Sequence, residues 1–217
     1  MSPQGQHFAP PILDVDGIFT LSQTPAIIAY LAPRLGLSGS DDFEQAKINQ
    51  LTFTALDMSN EAHDVRSCSS HYTSIRHLTF SIQQVHHPIA SYLYYEDQKP
   101  EAFRRAEDYR KSRIPKFLTH FETVLSTNDN GVLVGSKVST ADLAIFHVLN
   151  GLSFAYPKRM ATLRSEGLYT SVFALHDRLE KELQGYLKSG RRKKYNMGVF
   201  RYYAELVSAH FGVGPLL

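Results

Sequence analysis

Residues 11–37 follow a different pattern of apolar and polar positions from the remainder of the chain. Pro11-Ile12-Leu13-Asp14-Val15-Asp16 predicts a short strand ending at Asp16-Gly17, a pair suited to a hairpin because both residues tolerate positive φ. Ile18-Phe19-Thr20-Leu21 answers as the second strand. Ser22-Gln23-Thr24-Pro25 then opens a helix, with a hydroxyl to cap it, a proline in its first turn, and Ala26, Ile27, Ile28, Tyr30 and Leu31 behind. Gly36 is placed to stop it. One hairpin and one helix cannot bury a core of their own.

Beyond the polar linker Ser38-Gly39-Ser40-Asp41-Asp42 the periodicity is helical. Residues 44–64 carry Ile48, Leu51, Phe53, Leu56 and Met58, and residues 86–96 carry Ile89, Leu93 and the tyrosines Tyr92, Tyr94 and Tyr95. Residues 100–125 predict a long charged helix that Pro115 should kink or divide. Further helices are expected over 140–155 and 168–185, with Gly131-Val132-Leu133-Val134 as an extended loop. The strongest local signal is Val138-Ser139-Thr140-Ala141-Asp142-Leu143. Ser139 and Asp142 can cap each other's backbone while Val138 and Leu143 staple the turn. The helix that follows is apolar nearly all round and should be the buried central one.

Composition narrows the class. Among 217 residues, 23 Lys+Arg against 21 Asp+Glu leave a net charge of +2, too balanced to indicate nucleic acid. Hydrophobic and charged fractions of 43% and 20% exclude wholesale disorder. A single cysteine, Cys68, allows neither an intrachain disulfide nor a cysteine metal cluster. No apolar run reaches the roughly 18–20 residues of a membrane span, and the start Met-Ser-Pro-Gln-Gly-Gln-His does not read as a signal peptide, so a cytoplasmic, membrane-free protein is expected. His63, His86 and His87 lack metal-ligand spacing, since adjacent helical residues point about 100° apart, so no metal is expected. Arg191-Arg192-Lys193-Lys194 beside Tyr195 reads as a solvated loop rather than a nucleic-acid patch.

The combination of a Pro-Ile-Leu-Asp-Val-Asp-Gly hairpin, a Ser-Gln-Thr helix start and an all-helical region with a Ser-Thr-Ala-Asp cap resembles the glutathione S-transferases. His63-Asp64, His86-His87-Pro88-Ile89, Tyr94-Tyr95-Glu96-Asp97, Arg113-Ile114-Pro115-Lys116-Phe117, Gly151 to Pro157 and Leu175-His176-Asp177-Arg178 extend the likeness to a sigma-like bacterial and fungal branch. The resemblance implies a mainly α fold: a partial thioredoxin-like β-β-α unit over 1–37, then an all-α C-terminal domain over 44–206, with a tail over 207–217. It implies glutathione as co-substrate, a small electrophile as second substrate, and a homodimer. Pro11 would be the cis-proline, Pro10 would offer only its carbonyl, and Gln23 and Thr24 would hold the γ-glutamyl carboxylate. The residue-level physics agrees, because a helix N-terminus attracts anions. Read without the resemblance, Gln23-Thr24 is a capping turn.

Two departures from the family pattern qualify the implied activity. The strand and helix that carry the family's thiol-activating tyrosine, serine or cysteine would precede residue 1, so no catalytic residue is assigned. A free thiol with a pKa of about 8.5 is barely ionised at neutral pH without such a group. The twenty residues 65–84 interrupt the pattern, and joining Asp64 to Val85 restores the family spacing. A valine codon at one end and a glutamine codon at the other fit the ends of a retained intron, and the tail from Val207 has the same character; a surface loop is the rival reading. The expected function is conjugation of glutathione to a small electrophile, or isomerisation of one, with a role in fungal secondary metabolism. The alternative is an inactive transferase-derived binding protein or a mis-spliced gene product.

Overall fold

The computed structural model describes residues 7, 9–62, 95–195, 200 and 202–204. The 65–84 insert, the 207–217 tail, His63, His86, His87, Cys68, Tyr92 and Tyr94 lie outside the described residues.

Strands β1 (Ile12–Val15) and β2 (Phe19–Ser22) form an antiparallel hairpin, with Ile12 opposite Ser22 and Val15 opposite Phe19. Asp16 and Gly17 both take positive φ, 53° and 69°, and Asp14 Oδ1 accepts the Gly17 N–H at 2.8 Å. The Ile18 N–H donates to Val15 O at 2.9 Å and closes the turn, so Ile18 belongs to the loop and β2 starts one residue later than its apolar pattern suggests.

Helix α1 (Thr24–Arg34) begins without the expected hydroxyl cap. Ser22 is engaged as the last residue of β2, and no side chain caps the helix start. Its end follows expectation. Gly36 is left-handed at φ 69°, and the Leu37 N–H reaches back to Ala32 O at 2.8 Å, which satisfies a terminal carbonyl.

Helix α2 (Asp42–Ala62) has a reciprocal start: Asp41 Oδ1 accepts the Glu44 N–H at 2.8 Å, while Glu44 Oε2 accepts the Ser40 N–H and hydroxyl at 2.9 and 2.6 Å. Ile48, Leu51, Ala55, Met58 and Ala62 recur at three- and four-residue intervals and are buried. Phe53 and Leu56 fall on a second face.

Past the 3₁₀ turn Tyr95–Gln98 come α3 (Lys99–Asp108), a wide π-type turn at Tyr109–Arg113, and α4 (Ile114–Ser126). The interruption expected at Pro115 is absorbed by this turn. Ile114 N–H bonds Tyr109 O, five residues back, and Pro115 has no N–H to offer Arg110 O. That carbonyl instead accepts the Arg159 Nε–H at 3.0 Å.

Helix α5 (Thr140–Ala155) carries the predicted box. Asp142 Oδ2 accepts the Ser139 N–H and hydroxyl at 2.8 and 2.7 Å, and Oδ1 accepts the Leu133 N–H at 2.8 Å, which pins the 131–135 loop and buries Val132 and Leu133. Helix α6 (Pro157–Ser165) starts immediately after α5 at a proline and lies between the helices expected over 140–155 and 168–185. Helix α7 (Thr170–Glu182) is capped from a distance by Glu122, whose carboxylate accepts the Ser171 and Val172 N–H groups at 3.0 and 2.9 Å, and the single turn α8 (Gln184–Leu187) follows. The core runs from Ile48 to Phe200 around α5, which packs on α2, α6 and α7. Phe200 packs against Gly151, where an added Cβ would come within 2.1 Å of the ring.

Candidate functional site

Helix α1 leans against the helical body without filling the space between them. Leu37 O accepts the Thr140 N–H at 3.1 Å, which ties the end of α1 to the start of α5. Ahead of that tie an open cleft of about 650 Å³ separates α1 from α2 and α5. Ile28, Leu31 and Leu35 face it from the α1 side, Phe53 and Leu56 from α2, and Leu143, Ala144 and Val148 from α5.

Gln23 and Thr24 line this cleft, and both are exposed. Gln23 holds φ 75° and ψ 115°, a left-handed backbone that a side chain disfavours and that a sharp reversal from strand to helix requires. Thr24 follows at the first helical position, with Pro25 next. The uncapped start turns the backbone N–H groups of the first turn toward any anion that reaches them, and the helix dipole favours negative charge there. Pro10 and Pro11 are joined by a cis peptide bond and are exposed at the start of β1. The structure therefore brings Gln23 and Thr24 together at the cleft, whereas Pro10 and Pro11 are not among its lining residues.

Two ionisable groups that the sequence reading passed over stand in the same cleft. Asp57, on α2, has its pKa raised, first by burial and then by the charge of Glu61. Glu61 is itself engaged by Arg113, with contacts of 2.8 Å to Nε and 2.6 Å to Nη2. His147, on α5, has its pKa lowered, first by desolvation and then by the charge of Arg192, which keeps the imidazole neutral at pH 7. Tyr195 joins the two: its ring carries the Arg192 guanidinium at 4.4 Å and its hydroxyl donates to His147 O at 3.3 Å. The available signal was the spacing 53, 56, 57 and 60 on α2, which marks a second lined face beside the core stripe.

Among the described residues, His176, Asp177 and Glu180 form a cluster of metal-ligand types. Arg164 already takes both Asp177 oxygens at 2.8 and 2.9 Å, so the cluster is an ion-pair network. That hydrogen bond from Arg164 is the first cause of the lowered Asp177 pKa.

Comparison with known proteins falls mainly on the helical body. A family model described as glutathione S-transferase, C-terminal domain matches residues 83–190. A glutathione S-transferase of Plasmodium yoelii yoelii is 24% identical over 148 residues, covering 68% of this chain and 54% of that protein. Glutathione S-transferase 2 of Onchocerca volvulus is 30% identical over 137 residues, 62% of this chain and 50% of that protein. The chain spans about half the length of the curated relatives it matches. Among solved structures, rat hPGDS complexed with a quinoline superposes with a TM-score of 0.58 at 19% identity, over 86% of this chain and 74% of that one. Monomeric Na-GST-3, a glutathione S-transferase from the hookworm Necator americanus, gives 0.55 at 19% identity, over 86% and 76%.

Proposed function

We propose that this chain, which belongs to the glutathione S-transferase family through its helical domain, binds glutathione at the start of α1 and presents it to a small electrophile held in the cleft between α1, α2 and α5. The observation that carries this reading is the strained Gln23 ahead of an uncapped helix that opens on the cleft. Backbone strain of this kind costs on the order of 1–3 kcal/mol and concentrates at ligand clamps. The γ-glutamyl carboxylate would meet the first-turn N–H groups, with the Thr24 hydroxyl and Gln23 amide as further donors. Pro10 and Pro11, at the head of β1, would meet the cysteinyl backbone. Conjugation or isomerisation, a cytoplasmic setting, pairing of two copies and a place in fungal secondary metabolism belong to the same proposal.

A second reading, a binding protein without turnover, draws on the hydroxyls that the described lining offers. They come from Thr24, Ser59 and Thr140, and the Thr140 hydroxyl already lies 3.3 Å from that of Thr52. Thiol activation needs a group that holds the thiolate or takes its proton.

Calorimetric titration with glutathione separates these from a chain that binds nothing. The expected result is saturable binding that Thr24→Val weakens roughly tenfold, the loss of about 1.4 kcal/mol. Unchanged affinity in Thr24→Val overturns the assignment of the α1 start. Turnover of an aryl halide well above the uncatalysed rate then selects the enzyme, and binding without turnover selects the carrier.

A further inference from the structure

Residues 183–195 carry five Lys+Arg and no carboxylate. The remaining 204 residues carry 18 Lys+Arg against 21 Asp+Glu, so the balanced total of +2 divides into +5 on this short stretch and −3 elsewhere. Two tight turns fold the stretch where α8 ends. The Ser189 N–H and hydroxyl donate to Tyr186 O at 3.0 and 2.7 Å, and the Arg192 N–H donates to Ser189 O at 3.2 Å. Lys188, Arg191, Lys193 and Lys194 are exposed, and none of them has an ion pair among the described residues. Arg192 is held differently, with its guanidinium over the Tyr195 ring at 4.4 Å and Nη1 donating to Lys193 O at 2.9 Å. Exposure agrees with a solvated loop, but the charge does not. Protein surfaces ordinarily intersperse the two signs, and cations packed closer than a Debye length of about 10 Å repel one another.

We propose that the turns over 186–194 form a docking surface for an anionic lipid bilayer, held by charge and not by insertion. Four to eight clustered cations are what a negatively charged leaflet attracts. Among the described residues no helix is long and apolar enough to cross a membrane, so the contact is peripheral. Tyr186, 50% exposed in the first turn, adds an amphipathic ring of the kind that settles at headgroup level.

The surroundings favour a bilayer over the other anionic partners. A small anion needs a concavity, and none of the described clefts is lined by residues 183–195. A nucleic-acid strand needs a groove and aromatic faces on which bases stack. Tyr195 is the aromatic beside the cations, and it is already engaged within the protein. Phe154 stacks on it at 5.6 Å, Phe200 meets it edge-on at 5.8 Å, and Arg192 lies over it. The Tyr195 hydroxyl also donates to His147 O at 3.3 Å, which sets the docking surface beside the cleft that His147 lines.

Sedimentation of the full chain with sucrose-loaded vesicles tests the proposal. The probes are phosphatidylcholine vesicles and vesicles containing about 30% phosphatidylserine, in about 0.1 M salt. Binding to the serine-lipid vesicles should be at least about tenfold tighter, and should be lost when salt is raised to about 0.5 M. The combined variant Lys188→Gln, Arg191→Gln, Lys193→Gln, Lys194→Gln should fall to the phosphatidylcholine level, and Lys193→Gln with Lys194→Gln alone should fall between. A control that removes as much charge from other exposed positions, Lys47→Gln, Lys116→Gln, Lys137→Gln, Lys158→Gln, should stay within about threefold of the native chain. Circular dichroism shows that each variant keeps its helices. Equal binding to the two vesicles, or equal losses in the combined variant and the control, overturns the proposal. Tighter binding of single-stranded oligothymidine than of the serine-lipid vesicles overturns it too, and gives the surface to nucleic acid.

Discussion

The hairpin with α1 and the helical body differ in how their apolar residues are used. In the body, Met58, Ile114, Leu118, Phe121, Ile145, Leu152 and Tyr156 are all fully or almost fully enclosed. In the hairpin unit Ala32 alone is buried among the described residues, Ile12 and Ile18 are 49% and 71% exposed, and no residue of the unit enters the central cluster. Both regions have good local signals, with a positive-φ turn and a glycine stop in one and a capping box in the other. Local signals form elements, but burial fixes them in place, at about 25 cal/mol per Å² of apolar surface. The unit has elements and little burial. A free strand edge on both β1 and β2 adds backbone groups with no ladder partner among the described residues.

The largest expected effect lies in the core of the body. Phe121→Ala should cost about 3–5 kcal/mol in a urea unfolding experiment, because it empties an enclosed aromatic site. Leu31→Ala on α1, half-exposed at the cleft, should cost about 1 kcal/mol or less. Equal losses would remove the distinction between the regions. Native-state hydrogen exchange should agree, with slow amides in α4 and α5 and fast ones in β1, β2 and α1.

Next in size is Asp142→Ala. The carboxylate serves the Ser139 N–H and hydroxyl and the Leu133 N–H, all buried, so its removal strands several donors and should cost about 2–4 kcal/mol. Thr24→Ala, at a helix start where no side-chain cap is made, should cost less than about 0.5 kcal/mol. Thermal melts of the two variants give the comparison directly.

These two positions also show where sequence reading succeeds and where it stops. The box was legible because every partner but Leu133 lies within four residues, and the spacing alone specifies the contact. The hairpin turn at Asp16-Gly17 and the stop at Gly36 were legible for the same reason. The Pro115 interruption was visible, but its form was not: the freed Arg110 carbonyl is satisfied by Arg159, far along the chain on α6. Arg159→Ala should cost about 1 kcal/mol, with the effect confined to amides around Tyr109–Arg113 in an exchange experiment. Gln23 and Thr24 were named from a motif and do line the cleft, whereas Asp57 and His147 were not named. Their roles depend on α2 and α5 facing α1 across open space, which no local pattern encodes.

The smallest expected effect is at the seam between the two regions and concerns pH. Burial raises the Asp57 pKa, so the folded chain holds that proton more tightly than the unfolded chain does. Asp57 therefore favours the fold at acid pH, and this contribution is lost as the pH rises through the raised value. Asp177, in the body, has the opposite sign: the Arg164 guanidinium lowers its pKa, so its contribution is present above the ordinary aspartate value and is lost as the pH falls through the depressed one. At pH 7 Asp57→Asn should leave stability unchanged or raise it by less than about 0.5 kcal/mol, while Asp177→Asn lowers it. At pH 3 both differences should shrink, since each native carboxyl is then gaining the proton its amide variant never needs. Urea midpoints of the three chains across pH 3 to 7 read the signs, and a loss of stability in Asp57→Asn at pH 7 would mean that the carboxylate is paired. The cleft between α1 and the body would then be closed by a contact to Asp57, and the two regions would share a wall.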